Sequence, residues 1–248
     1  MTATIRGVLF DSGGVLVRPV AASAAPETRR RWFPGPRFEE IVEAYLPNLS
    51  LAGLEGALQP GMQYLEERHR RPVLTLGEEQ DLFQDFYRFV LQALGVADPP
   101  AGLTEDLARE RVAEVHMEPF REVAGVLERL RARGLLLGVL SESWPSLEWN
   151  YERLGLRRFF GAFTISAKEA LLKSDPNLFA VARERMHLPA PEILFVDNWP
   201  PYVKTAVRLG FQGAVLDRDG DSPPLAGMTY VADLLGIERM VADVGEGG

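Results

Sequence analysis

Four polar side chains, each at the edge of an apolar stretch, carry the chemistry of this chain: Asp11, Ser141, Lys173 and Asp197. Val8-Leu9-Phe10 runs into Asp11, Leu135 to Leu140 runs into Ser141, Ile193 to Val196 runs into Asp197, and Lys173 stands just ahead of Asp175-Pro176. Singly, each has an ordinary reading. Asp11 with Gly13 and Gly14 makes an Asx turn, Ser141 and Asp197 cap helices, and Lys173 is a solvated charge. Together they are a different matter, because parallel strands bring their C-terminal ends to one rim, where open α/β sheets place ligands. Two carboxylates, a hydroxyl and an ammonium on that rim form a site for a divalent cation and a phosphoryl group. A carboxylate with an ordinary pKa of about 3.9 is ionised at pH 7, so Asp11 needs no base to attack phosphorus.

The elements that must position these groups are legible in the same pattern. The apolar runs before Asp11, Ser141 and Asp197 read as buried strands, with further strands at Ala162 to Ile165 and Ala214 to Leu216. Amphipathic helices lie between them at 120–133, 146–155, from Asp175-Pro176 onward, and at 200–209. This alternation predicts an α/β fold, a doubly wound parallel sheet. It is broken after Leu16-Val17. Residues 18–36 are rich in Pro, Ala and Arg and read as a linker, and from Phe38 to about Met117 only helical periodicity appears. Its clearest part runs from the capping box Thr75-Leu76-Gly77-Glu78 to Gly95, with weaker helices at 38–45, 61–69 and 104–116. The expected organisation is a core of residues 1–17 and 119–248 and an inserted all-helical domain over 18–118.

Composition bounds the partners. The net charge of −8 over 248 residues leaves no broad basic face for nucleic acid or an anionic membrane. The absence of cysteine removes a thiolate nucleophile and cysteine-ligated zinc, and suits a reducing compartment. The longest apolar stretch, Gly134 to Leu140, is too short to span a bilayer, and no secretory signal precedes Asp11. A cytoplasmic protein is expected.

The ordered set resembles the haloacid dehalogenase-like hydrolases. Phe10-Asp11-Ser12-Gly13-Gly14-Val15-Leu16 is similar to that family's first motif, Val139-Leu140-Ser141 to its second, Lys173-Ser174-Asp175-Pro176 to its third and Phe195-Val196-Asp197-Asn198 to its fourth. The resemblance covers residues 1–17 and 119–248, and the helical block 18–118 takes the place of the family's cap domain. It implies a Rossmann-like core under a mobile lid, dependence on Mg²⁺, and phosphatase activity on a small phosphorylated substrate, the protein working as a monomer or homodimer. Carried over by position, Asp11, Ser141 and Lys173 are the catalytic residues. Asp11, Asp197, Asn198 and the Gly13 carbonyl are the metal ligands, and Ser12, Gly13, Ser141, Glu142 and Lys173 hold the phosphate. A metal-independent 2-haloacid dehalogenase and a degraded relative that binds a phosphorylated ligand without turnover are the alternatives.

Two departures qualify the resemblance. Phosphatases of the family carry a second aspartate two residues after the nucleophile, as acid for the leaving group; here that position is Gly13. Turnover should therefore depend steeply on the leaving group, with Glu142 a candidate substitute acid. The second acid of the fourth motif is Asn198, which removes one negative charge from the metal site. His69, His116 and His187 read as structural or exposed. Arg29 to Arg31 and Arg68, Arg70 and Arg71 are basic clusters that face solvent or clamp an anion. Trp144, Trp149 and Trp199 wall a pocket or simply pack.

Overall fold

In a computed structural model, the chain is described over residues 3–20, 32–221, 223 and 225–243. Six parallel strands form one sheet in the order β5-β4-β1-β6-β7-β8: β1 (Gly7–Phe10), β4 (Leu136–Ser141), β5 (Ala162–Ile165), β6 (Ile193–Asp197), β7 (Gln212–Leu216) and β8 (Thr229–Val231). The fold is α/β and doubly wound. Alternate side chains of β1 show why: Val8 and Phe10 pack on one face with α5 (Val123–Ala132), α6 (Ser146–Arg153) and α10 (Leu234–Asp243). Leu9 packs on the other with α8 (Pro176–Met186) and α9 (Pro200–Arg208). A strand buried on both faces has to be apolar at every position, as β1 is.

β1 is central, with β4 on one side and β6 on the other, and Phe10 lies level with Val139 and with Val196. Chain order reverses across this strand, so the crevice at its C-terminal end is the topological switch point where such sheets bind ligands. The short α7 (Ser166–Glu169) follows β5 and completes the set of connecting helices.

Between β2 (Val17–Pro19) and β3 (Met117–Pro119) the chain makes the helices α1 (Phe38–Tyr45), α2 (Leu54–Arg68), α3 (Leu76–Ala93) and α4 (Ala101–Ala113). β2 and β3 pair antiparallel, Val17 opposite Pro119 and Pro19 opposite Met117, so the outgoing and returning chains are tied together. The sequence pattern put a linker where β2 lies; a three-residue strand ending in proline carries no periodicity to read. α2 starts seven residues earlier than the periodicity predicts, because Pro60 is tolerated inside it on the exposed face. The capping box of α3 is present: the Glu78 backbone N–H donates to Thr75 Oγ1 at 3.2 Å and the Thr75 N–H donates to Glu78 Oε2 at 3.0 Å. Leu82, Phe83, Phe86, Tyr87 and Val90 of α3 are buried in the same apolar cluster as Val8 and Phe10. Among the described residues no helix is long and apolar enough to cross a membrane.

Candidate active site

Asp11, Lys173 and Asp197 meet at the rim of the sheet. Lys173 Nζ donates to Asp11 Oδ1 at 2.5 Å and to Asp197 Oδ2 at 2.7 Å. Lys173 is 2% exposed, Asp197 1% and Asp11 7%, so the three charges are screened by each other and not by water. The second oxygen of Asp197 accepts the Trp199 backbone N–H at 2.8 Å, which fixes that carboxylate at the start of α9. Burial pushes the Asp11 carboxyl up to about 7; the Lys173 charge opposes the rise and the Asp197 charge adds to it. The ordinary carboxylate pKa assumed from sequence is thus corrected, and Asp11 relies on neighbouring positive charge to stay ionised. Burial works against the Lys173 ammonium, but Asp11 and Asp197 outweigh it and hold Lys173 above its usual range.

The turn after Asp11 is held from several sides. Ser12 Oγ and Tyr151 Oη, both buried, are 2.7 Å apart, so the Ser12 side chain is engaged with α6. Its backbone N–H donates to the Asp11 carboxylate. Arg218 donates to the carbonyls of Gly14 at 3.1 Å and Val15 at 2.7 Å and to Glu122 Oε1 at 2.7 Å, with its guanidinium 3.6 Å from the Phe120 ring centre. Gly14 has φ +80, and a Cβ there would stand 2.7 Å from Asn198 Nδ2, so only glycine permits both the turn and the approach of Asn198.

Above the rim is a cavity of about 400 Å³. The strand ends supply Asp11, Ser12, Gly13, Ser141, Glu142, Lys173, Asp197 and Asn198 to its wall. The cavity's lining therefore holds every residue that the motifs single out. Glu142 does not stand as a free acid: Oε1 accepts the Lys173 backbone N–H at 2.6 Å and Oε2 accepts the Tyr202 hydroxyl at 2.8 Å. It fixes the lysine loop and Tyr202, whose ring centre is 5.4 Å from Lys173 Nζ. Position 13 is not an open vacancy either. A Cβ on Gly13 would lie 3.1 Å from Trp32 Cζ2, so an indole covers the place where an acid would project.

The helical part of the lining was largely invisible in the sequence. Arg111 reaches the cavity from the end of α4, stacked 4.8 Å from the Phe33 ring centre and 5.4 Å from that of Phe83. Glu79 of α3 is 1% exposed, accepts the Ser146 N–H at 2.7 Å and its hydroxyl at 2.6 Å, and is pushed up to about 7 by burial. Asn150 follows one turn later on α6. Such residues give no motif: a glutamate beside a capping box and an arginine in a weak helix look like solvated charges. Trp144 and Trp199 line the cavity, whereas Trp149 does not and carries the Arg153 guanidinium at 4.7 Å. Of the histidines, His116 is on the cavity wall with Nε2 3.0 Å from the Glu110 carbonyl; His69 has Nε2 3.1 Å from Ser166 Oγ, and His187 ends α8 elsewhere. Arg68, Arg70 and Arg71 do not line the cavity, and Arg29 to Arg31 fall outside the described residues.

A parallel sheet with this strand order, an aspartate at the end of its central strand and a lysine bridging that aspartate to a second together form the architecture of a hydrolase core. The chain belongs to the haloacid dehalogenase-like hydrolase family, whose model matches residues 5–210. It is 27% identical over 208 residues to the glyceraldehyde 3-phosphate phosphatase of Methanocaldococcus jannaschii, covering 83% of this chain and 82% of that one. It is 26% identical over 138 residues to the (S)-2-haloacid dehalogenase of Pseudomonas putida, covering 54% of this chain and 58% of the other. Against acyl-CoA dehydrogenase family member 10 of Mus musculus it is 25% identical over 215 residues but spans 18% of that protein's length. In three dimensions it is similar to a crystal structure of an L-2-haloacid dehalogenase, with a TM-score of 0.63, 23% identity and coverage of 97% and 100%.

Proposed function

We propose that the protein is a Mg²⁺-assisted phosphatase of a small phosphorylated metabolite, acting through an aspartyl-phosphate on Asp11. The observation that carries this reading is the buried Asp11–Lys173–Asp197 cluster at the floor of a cavity sized for a small molecule. Two carboxylates against one ammonium leave an excess of negative charge in a nearly buried cluster on the cavity floor, and their oxygens are the donors a hard divalent cation prefers. The residues present therefore fit Mg²⁺. Asp11 and Asp197 would hold it, with the Gly13 carbonyl and Asn198 completing the protein's share; among the described residues no cluster of three or more acids, His or Cys is present. Bound, Mg²⁺ supplies positive charge against the phosphoryl oxygens.

Asp11 attacks phosphorus, the bond to the ester oxygen breaks with its electron pair, and that oxygen takes a proton from water. A water molecule then attacks the aspartyl-phosphate, releasing inorganic phosphate and restoring the carboxylate. Lys173, the Ser141 hydroxyl and the Gly13 N–H are set to bind the phosphoryl oxygens, as preorganised donors around a developing charge. The helices α1–α4 serve as the cap that shuts water out during transfer. The M. jannaschii relative supports the phosphatase reading.

One feature favours a second reading, displacement of halide from carbon by Asp11. A halide leaves without a proton, which suits a site with no acid at Gly13, and the P. putida relative carries that activity in its name. A panel of phosphate esters and 2-haloacids, assayed with Mg²⁺ and with EDTA, separates the two. The expected result is Mg²⁺-dependent phosphate release, faster for good leaving groups and reduced at least about 10⁴-fold in Asp11→Asn. Halide release that survives EDTA, with no phosphate release, would replace the phosphatase by the dehalogenase.

A further inference from the structure

Arg218 holds the turn after Asp11 and both connections to the inserted helices at once. It stands two residues beyond the end of β7, the strand next to the one that ends in Asp197, and its side chain is 16% exposed. Nε donates to the Gly14 carbonyl at 3.1 Å and Nη2 to that of Val15 at 2.7 Å, so two arms of the guanidinium close on successive peptide groups. Nη1 turns to Glu122 Oε1 at 2.7 Å, and the plane lies 3.6 Å from the Phe120 ring centre.

The turn needs such a partner. The N–H groups of Val15, Leu16 and Val17 all donate to the Ser12 carbonyl, at 3.3, 2.8 and 3.0 Å. In a trans peptide the C=O points opposite to the N–H, so the carbonyls of those same three peptides gather on the other side, as at the end of a helix, where positive charge is favoured. Two of them, from Gly14 and Val15, meet Arg218, and the third, from Leu16, accepts the Phe120 N–H at 3.1 Å. Residues 14–17 lead out through β2 to the inserted helices, and Phe120 and Glu122 follow β3 on the way back. Phe120 also carries the Arg18 guanidinium at 5.5 Å, and Arg18 is paired with Glu118 across the two-stranded ribbon at 2.9 Å. Movement of α1–α4 on these connections reaches Asp11 through residues 12–17 unless those residues are pinned.

We propose that Arg218 is a positioning residue for Asp11: it pins the turn 12–17 to the returning chain at Phe120 and Glu122, so that the carboxylate and the Gly13 N–H keep their places while the inserted helices shift. It acts through the backbone and touches no reacting atom. The fork is what the place asks for, since three acceptors spread around one plane suit a guanidinium and not the point charge of an ammonium. The effect on the reaction rests on the reading of Asp11 as the attacking group, whichever bond it attacks; the pinning of the turn does not.

The test follows Arg218→Ala by phosphate release from an aryl ester with Mg²⁺, by halide release from a 2-haloacid, and by hydrogen exchange of backbone amides. Whichever reaction the wild type performs, kcat should fall about a hundredfold with KM little changed, the loss expected when reacting groups are misplaced by about 1 Å. Guanidinium chloride at low millimolar concentration, seated in the space left, should restore part of that loss, and urea, the same shape without the charge, should not. The amides of Val15, Leu16, Val17 and Phe120 should exchange at least about tenfold faster, while those of β4 and β6 keep wild-type rates. Wild-type kcat in the variant, a deficit that guanidinium leaves untouched, or unchanged exchange at 15–17 makes Arg218 a stabilising contact only and overturns the proposal. Should Arg218→Ala not fold, Arg218→Lys, which keeps the charge but not the fork, is judged by kcat and exchange alone, and wild-type values of either overturn it. If the wild type turns over neither ester nor haloacid, the reading of Asp11 fails and exchange decides: joint loss of protection at Val15 to Val17 and at Phe120 keeps the pinned turn and removes only the enzyme, and unchanged exchange removes both.

Discussion

The strand-end and helical linings of the cavity are built on opposite terms. At the strand ends the charged groups are tied to one another and to the backbone: Lys173 bridges Asp11 and Asp197, Trp199 N–H holds Asp197, and Glu142 ties the Lys173 backbone to Tyr202. On the helical lining Arg111 is stacked and without a carboxylate partner among the described residues, and the Asn150 oxygen lacks a donor. A reacting centre has to be preorganised before substrate arrives, a demand that the helical lining does not carry. The difference also predicts where stability resides. A closed charge network supports the fold and fails badly when one member goes, while a charge outside such a network contributes little.

Lys173→Met probes this contrast hardest. It leaves two buried carboxylates facing each other with no cation between them, and breaking such a pair typically costs about 3–5 kcal/mol. Urea unfolding should show that loss at pH 8 and a smaller one at pH 5, where a carboxylate takes up a proton in place of the lysine charge. Arg111→Met, by the same measurement, should cost about 1 kcal/mol or less, since a half-buried guanidinium with no carboxylate partner among the described residues adds little. If the two variants are equally destabilised, the distinction between a closed network and a lone charge is lost.

The same distinction explains what the sequence could and could not disclose. Asp11, Ser141, Lys173 and Asp197 were legible because strand-end chemistry is written as an abrupt change of residue type after an apolar run, and because chain order fixes which ends share a rim. The fold was legible for the same reason, through runs such as Val8-Leu9-Phe10 and Ile193 to Val196. β2 and β3 were not, being three residues each with proline at their ends. Arg111, Glu79 and Asn150 were hidden because they sit on helices whose packing against the sheet is set by tertiary contacts; no spacing relates position 79 to 146 or 111 to 33. Gly13 was read as an empty place, and only the path of the chain at Trp32 shows that the place is covered.

Glu79 sharpens the comparison through pH. It joins α3 to Ser146 on α6 and is pushed from the ordinary glutamate value of 4.5 up to about 7 by burial. A folded-state pKa above the unfolded one means that the folded protein binds more protons between those values, so stability falls as pH rises from about 4.5 to about 7 and then levels off. Gln mimics the protonated acid in shape and hydrogen bonding. Between pH 5 and pH 8, wild type should therefore lose about 2–3 kcal/mol more than Glu79→Gln, at 1.36 kcal/mol per pKa unit. Asp11 contributes the same slope to both proteins and cancels. Parallel stability curves would mean that Glu79 is already ionised in the folded state and that the contact between α3 and α6 does not titrate.

The smallest expected effect lies at Gly13 beneath Trp32. A side chain at position 13 begins 3.1 Å from the indole, closer than ordinary packing, so Gly13→Asp should displace Trp32 at an overpacking cost of about 1 kcal/mol. In that variant the new carboxyl is wedged and not aimed at a leaving group, and turnover of alkyl phosphates should not improve. Adding Trp32→Ala opens the space. The double variant should then hydrolyse alkyl esters about tenfold faster than Gly13→Asp alone and show a shallower dependence on leaving-group pKa, since acid catalysis is worth at least about 10²-fold when well placed. The comparison is made by rate, at saturating Mg²⁺, over a series of esters from alkyl to aryl. If Gly13→Asp alone already matches the double variant, the indole is not what closes position 13, and the absence of an acid there is a property of the strand end itself rather than of the wall that leans over it.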